Sequence, residues 1–201
     1  MSYYWAIFKR IGSNTFRFDT RIYINEIGEP RKSDPCIGAV VGKNPGSANP
    51  SDITKIHLQE IILSGDKLLP SVKNIIQKSY NEAKTEIPSR GFIQVLNLFY
   101  LCNTNLERAI EESKKFDKLK FCQSEQNSFP WIWYVWGNSM VSINKHKNRF
   151  NNIKAKKHFF FNQNTKRIDQ RKPTVDDFAR HTQGLKQNLV VPFISQLIKN
   201  G

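Results

Sequence analysis

Apolar and polar residues alternate strictly over residues 15–24 (TFRFDTRIYI). Phe16, Phe18, Ile22 and Ile24 fall on one face, and Arg17, Asp19, Arg21 and Tyr23 on the other. A period of two predicts a half-exposed strand. The apolar stretch 3–8 (YYWAIF) precedes it, with Gly12-Ser13-Asn14 between as turn residues, so an N-terminal β-hairpin is expected within residues 1–30.

From Cys36 the pattern changes to short continuous apolar runs separated by amphipathic stretches. CIGAVV (36–41), FIQVL (92–96), WIWYVW (131–136) and the shorter HFFF (158–161) read as buried strands. Residues 53–63 place Ile53, Ile56, Glu60 and Leu63 at helical spacing, with Ile61 and Ile62 widening the apolar face. Residues 70–84 predict a second helix with Pro70 in its first turn, where the missing N–H does no harm. Thr104 and Glu107 have the spacing of a capping box, opening a helix that carries Leu106, Ile110 and Leu119 towards the core. Residues 190–198 (VVPFISQLI) predict a last helix. Strands alternating with helices imply crossovers. The expected fold is therefore α/β, a three-layer sandwich around a mainly parallel four-stranded sheet, with the hairpin added.

Composition changes this picture mainly through charge. The 201 residues hold 31 Lys and Arg against 17 Asp and Glu, a net +14. A domain this basic attracts polyanions, and DNA or RNA is the commonest such partner. Residues 142–172 concentrate the effect. Lys145, Lys147, Arg149, Lys154, Lys156, Lys157, Lys166, Arg167, Arg171 and Lys172 are opposed there by Asp169 alone. With interleaved Asn and Phe residues, the segment reads as a polar loop laid along a phosphate backbone; a flexible basic linker is the alternative. Cys36, Cys102 and Cys122 form no C-x-x-C pair, which speaks against a disulfide framework or a Cys-rich zinc site. No signal-peptide pattern opens the chain, and Trp131–Trp136 is too short to span a bilayer. A cytoplasmic, monomeric protein of one domain is expected, with neither metal nor cofactor.

In a parallel sheet, ligands bind beyond the carboxyl ends of the strands. The residues standing there are Gly42-Lys43-Asn44-Pro45-Gly46, Asn97, Gly137-Asn138-Ser139 and, past the fourth strand, Arg180-His181. No catalytic carboxylate is obvious among them.

These residues carry a resemblance to the uracil-DNA glycosylase superfamily, over roughly residues 36–189. Gly42-x-Asn44-Pro45-Gly46 resembles the first motif of the mismatch-specific and thymine-DNA glycosylase branch, where the Asn holds the attacking water. Val95-Leu96-Asn97-Leu98-Phe99 is similar to the strand whose Asn reads the pyrimidine edge. Val135-Trp136-Gly137-Asn138-Ser139 resembles the tryptophan-glycine segment that follows it. His181 resembles the last-motif His that approaches O2 of the departing base. The late Arg-His pair is also similar to that of a bacterial and phage branch of the superfamily.

The resemblance implies hydrolysis of the base–sugar bond of a flipped-out nucleotide in DNA. Asn44 and His181 would be catalytic. Gly42, Pro45, Gly46, Asn97 and Phe99 would form the base pocket, and Lys154, Lys156, Lys157, Arg180 and Lys186 would hold DNA. Such chemistry needs a donor to stabilise the leaving base anion and a group to position water. The strictly uracil-specific branch has a bulky Tyr where this chain has Gly46. The resemblance therefore implies room for a 5-substituted pyrimidine, such as the hydroxymethylated or glucosylated cytosine of phage DNA. Thr182-Gln183-Gly184 departs from the Pro-Ser that usually follows the His. Tyr80, Phe99 and Tyr100 are candidates for stacking on the base.

Three other readings compete. One is a non-catalytic nucleic-acid-binding protein on the same fold. Another is a nuclease, from the E-x-K spacing of Glu112-Ser113-Lys114, which reads more simply as a solvated helix face. A nucleotide hydrolase is the third, although Gly42–Gly46 lacks the Walker Gly-Lys-Ser/Thr ending.

Overall fold

The computed structural model describes residues 1–46, 49–50, 57–116, 121–138 and 141–200. Its strands are β1 (Ser2–Ile11), β2 (Asn14–Ile27), β3 (Cys36–Gly42), β4 (Asn49–Pro50), β5 (Gln59–Ile62), β6 (Phe92–Asn97), β7 (Ser128–Tyr134), β8 (Lys154–Asn162) and β9 (Arg167–Asp169). The helices are α1 (Leu68–Ala83), α2 (Leu106–Lys114), α3 (Asn144–Arg149) and α4 (Val191–Lys199). The strands form one sheet in the order β4-β5-β1-β2-β6-β3-β7-β8-β9.

The expected parallel strands lie side by side as β6-β3-β7-β8, each parallel to its neighbour. They are the centre of a larger mixed sheet, however, not a four-stranded sheet. The remaining pairings, β1 with β2 and β5, β2 with β6, β4 with β5 and β8 with β9, are all antiparallel. The N-terminal hairpin is thus no appendage. Its second strand pairs with β6 from Thr20↔Val95 to Tyr23↔Phe92, so Tyr23 is buried with Ile22 and Ile24 rather than exposed.

Two apolar clusters lie on opposite faces of the sheet, and alternate residues feed them. Val40, Ile93, Val95, Trp131 and Trp133 join α1 and α4 in one cluster. Ala39, Val41, Leu96, Ile132 and Tyr134 join Ala109 and Ile110 of α2 in the other. This second face is covered mainly by irregular chain and short turns, including Leu98–Leu101, Ile143, Phe150 and Ala179. A layered sandwich with equal helices on both sides does not describe it.

The segment 59–62, expected to be helical, is strand β5; residues 51–56 lie outside the described residues. In place of the expected Thr104–Glu107 capping box, the cap is Asn105, one residue later and without the reciprocal bond among the described residues. Asn105 Oδ1 accepts the Arg108 N–H at 3.1 Å and Asn103 Oδ1 accepts the Asn105 N–H at 2.8 Å, so α2 begins at Leu106. That helix ends at Lys114, and Leu119 lies outside the described residues. Of the expected basic loop region 142–172, residues 154–169 form the β8–β9 hairpin, so the fourth strand, expected at 158–161, begins four residues earlier, at Lys154.

Candidate active site

The carboxyl ends of three parallel strands converge at one edge of the sheet. Gly42 of β3 pairs with Asn97 of β6, and Val41 pairs with Tyr134 of β7. After Asn97 the chain stays there: the Leu98 N–H donates to the Gly42 carbonyl at 3.1 Å and the Phe99 N–H to Lys43 at 3.4 Å. The late loop is stitched to the same edge. Arg180 N–H donates to the Phe161 carbonyl of β8 at 2.9 Å, and Gly137 N–H to the Ala179 carbonyl at 2.8 Å. The first motif, Asn97, the Trp-Gly segment and the Arg-His pair are therefore neighbours through backbone contacts. Ser139 lies outside the described residues.

Asn97 is the most unusual of these residues. It is 0 % exposed, and neither Oδ1 nor Nδ2 has a hydrogen-bond partner among the described residues. Leaving a buried polar group unpaired costs about 1–3 kcal/mol. The neighbouring chain makes room for it. A Cβ on Gly42 would lie 3.0 Å from Asn97 Oδ1 and 3.1 Å from a Leu68 methyl carbon, so a larger residue at 42 would press on the amide. Next to Gly137 and His181 in the chain, Trp136 Nε1 and Thr182 Oγ1 are also buried and unpartnered among the described residues.

Asn44 is half-buried, and its Nδ2 donates to the Asn103 carbonyl at 2.7 Å. That bond fixes the amide plane, with Oδ1 as the acceptor on the other side of Cγ. Pro45 is buried and limits the backbone of Asn44 to extended conformations. Gly46 has φ +68°, where L side chains are strained, and a Cβ there would meet nothing within 4 Å among the described residues.

His181 is half-buried, and its Nδ1 accepts the Gln183 N–H at 3.1 Å. The neutral imidazole must then carry its proton on Nε2, which makes that nitrogen the donor. Burial and then the charge of Lys43 push its pKa below the ordinary 6.5, against the opposing pull of Asp66 and with a lesser push from Arg180. At neutral pH His181 is an uncharged donor.

Two groups escaped the sequence reading. Lys43, inside the first motif, has its ammonium 3.6 Å from where a Gly137 Cβ would stand, and burial lowers its pKa from 10.5. Asp66 is the carboxylate absent from the expected set. Its Oδ1 accepts the Leu68 and Leu69 N–H groups at 2.9 and 3.2 Å, capping α1, and its Oδ2 pairs with Arg17 at 3.2 Å. So engaged, it positions α1 and Arg17 rather than acting as a free base. An Asp ahead of an apolar run with Pro in its first turn is a helix-start signal that would have found it.

The residues expected to hold DNA fall into two groups. Lys154, Lys156 and Lys157 are exposed on the amino-terminal half of β8, five residues or more before its end at Asn162. At about 3.3 Å per residue that is roughly 17 Å or more from the carboxyl edge. Lys156 and Lys157 border a separate cavity lined by Trp131 and α4. Arg180 and Lys186, by contrast, line a cavity of about 420 Å³ with Lys166, Gln163 and Phe161; Arg180 precedes His181 in the chain, but His181 itself is not part of the lining.

Of the candidate stacking aromatics, Tyr80 belongs to the α1 side of the core, and the Tyr100 hydroxyl is committed to Glu125. Phe99 alone borders the first motif, with its ring edge-on to His146 at 5.6 Å between centroids. Glu112 of the E-x-K triplet is bonded to Lys115 and Asn14, at 2.8 and 3.3 Å. No group of three His, Cys, Asp or Glu that could hold a metal occurs among the described residues. No helix among them is long and apolar enough to cross a membrane.

No protein-family model matches the chain, and neither do the curated proteins and solved structures with which it was compared.

Proposed function

We propose that this protein is a DNA glycosylase that hydrolyses the bond between the sugar and a flipped-out, 5-substituted pyrimidine, leaving an abasic site. The observation that carries this reading is Asn97, whose whole amide is buried without a partner among the described residues at the carboxyl end of a central strand. A primary amide offers one acceptor and one donor side by side. The Watson–Crick edge of a pyrimidine offers the complement, and binding it would offset the desolvation that the free protein bears. Both amide atoms are shielded, so the base must displace what covers them.

The other residues take roles their geometry supports. His181 Nε2–H donates to the O2 on which negative charge builds as the base departs. A neutral donor at a water-poor site is effective there without the desolvation penalty of a charged one. Asn44 Oδ1, with its amide plane held by Asn103, orients water towards C1′. The open space at Gly46 receives the 5-substituent. Lys166, Arg180 and Lys186, which border a cavity on the late loop next to His181 in the chain, supply positive charge for the phosphates; flipping a base costs about a few kcal/mol, which phosphate contacts help to offset.

The test is incubation with duplex and single-stranded DNA containing uracil, thymine mismatches or 5-modified cytosines. Free base is read by mass spectrometry and abasic sites by alkaline cleavage. Release is expected, fastest from a 5-modified cytosine. DNA binding without release from any substrate would leave the non-catalytic binding protein instead.

A further inference from the structure

Lys43 is the nucleophilic group at this edge that base hydrolysis leaves unused. It lies between Gly42, which borders Asn97, and Asn44, which faces the proposed water. Its ammonium stands 3.6 Å from where a Cβ of Gly137 would be, and Gly137, at φ +83°, leaves that space open. Among the described residues it makes no hydrogen bond or ion pair, whereas the neighbouring Lys147 donates to the Val175 carbonyl at 2.7 Å and lies 5.5 Å over the Trp136 ring. Lys43 lies close enough to Lys147 and to His181 to disfavour the charged form of each.

We infer that Lys43 forms a Schiff base with the abasic sugar and makes the protein an abasic-site lyase as well as a glycosylase. The inference rests on the proposed base release only in that the abasic sugar is its product. Ring opening of that sugar exposes an aldehyde at C1′. The neutral amine of Lys43 adds to this carbon, and the carbinolamine loses its hydroxyl as water to give the protonated imine. A C2′ proton passes to water, its electron pair forms the C2′–C3′ double bond, and the 3′ phosphate leaves. Hydrolysis of the imine then returns Lys43 and frees an unsaturated aldehyde on the cleaved strand. No oxidant or reductant is consumed. Burial, which favours the uncharged amine, raises the fraction able to attack at neutral pH.

The experiment uses DNA in which the abasic site is already present, so base release does not enter. Protein and DNA are mixed with sodium borohydride, which reduces an imine to a stable secondary amine. The covalent adduct is read by denaturing gel, and its site by peptide mass spectrometry. The expected result is one adduct on the Lys43 peptide, lost in Lys43→Arg. That variant keeps the positive charge, and a gel shift and a thermal melt confirm that it folds and binds. An adduct carried by another amine, or DNA bound without any adduct, overturns the lyase while leaving base release standing. Absence of binding to any DNA overturns both.

Discussion

Asp34 and Asn97 stand at opposite ends of the same two strands. Asp34 precedes β3, where the Phe92 N–H of β6 donates to the Pro35 carbonyl at 3.0 Å, and Asn97 closes β6 opposite Gly42. Both side chains are buried. The Asp34 carboxylate, 1 % exposed, accepts from the Tyr23 hydroxyl at 2.8 Å, from the Arg31 N–H at 2.7 Å and from two nitrogens of Arg90. Burial alone would push its pKa up, but these bonds outweigh burial and hold it below the ordinary carboxylate value. Asn97 has nothing comparable. One end of the sheet satisfies its polar groups and so stabilises the fold. The other leaves an amide unpaired among the described residues and sets Lys43 near Lys147. An arrangement that lowers stability at one place is what the proposed base pocket would show.

The largest effects should come from the unpaired end. Asn44→Ala and His181→Ala should each slow base release by about 10²-fold or more, the scale of losing one positioned donor or water-holding group. DNA affinity, read by gel shift, should change little. The pH profile sharpens the role of His181. Its pKa is depressed, so the neutral donor persists as pH falls through 6.5, and activity should be lost only at lower pH, where the ring takes up its proton. A rate that instead rises on acidification would make the imidazolium the working form.

At the satisfied end the effect should be on stability. Asp34→Ala strands the Tyr23 hydroxyl and should cost about 2–3 kcal/mol, lowering Tm by roughly 4–12 °C. Base release by the folded fraction should stay near wild type. The depressed pKa of Asp34 also fixes the pH dependence of this contribution. It is present above the unfolded carboxylate value near 3.9 and is lost as pH falls through the lower folded value. Unfolding melts of the wild type and variant should therefore converge in strong acid.

The smallest effects should separate two sets of basic residues. Neutralising Lys166, Arg180 and Lys186 should flatten the dependence of log affinity on log salt, by about 0.9 for each phosphate they no longer neutralise. Neutralising Lys154, Lys156 and Lys157 should change that slope far less, because they lie on the amino-terminal half of β8. Equal flattening by both sets would place DNA across the whole face of the sheet.

The sequence was legible where local pattern and burial agree. Ala39, Val40 and Val41 are all 0 % exposed, so β3 shows as an unbroken apolar run. The ends of that strand and of β6 were legible for the same reason, and with them the edge that holds Asn44 and Asn97. Residues 59–62 were misread because two adjacent isoleucines in so short a stretch satisfy both the helical and the strand period. Arg17 looked exposed by alternation, but it is 1 % exposed and paired with Asp66, a partner that only tertiary structure supplies. The joining of the hairpin to β6 is equally non-local. Lys154–Lys157 drew attention by charge alone, and charge says nothing of which end of a strand it occupies. That Asn97 lacks a partner was beyond any reading of its neighbours in the chain.

Asn97→Leu tests the contrast most directly, with thermal melting and base release measured on the same preparation. Replacing an unpaired buried amide by a side chain of similar size removes a desolvation penalty, so Tm should hold or rise, by up to about 1–3 kcal/mol of added stability. Base release from the best DNA substrate should fall by about 10²–10³-fold. A variant that melted lower and still released base at the wild-type rate would show that Asn97 serves the fold, and the account of this edge as a base pocket would be wrong.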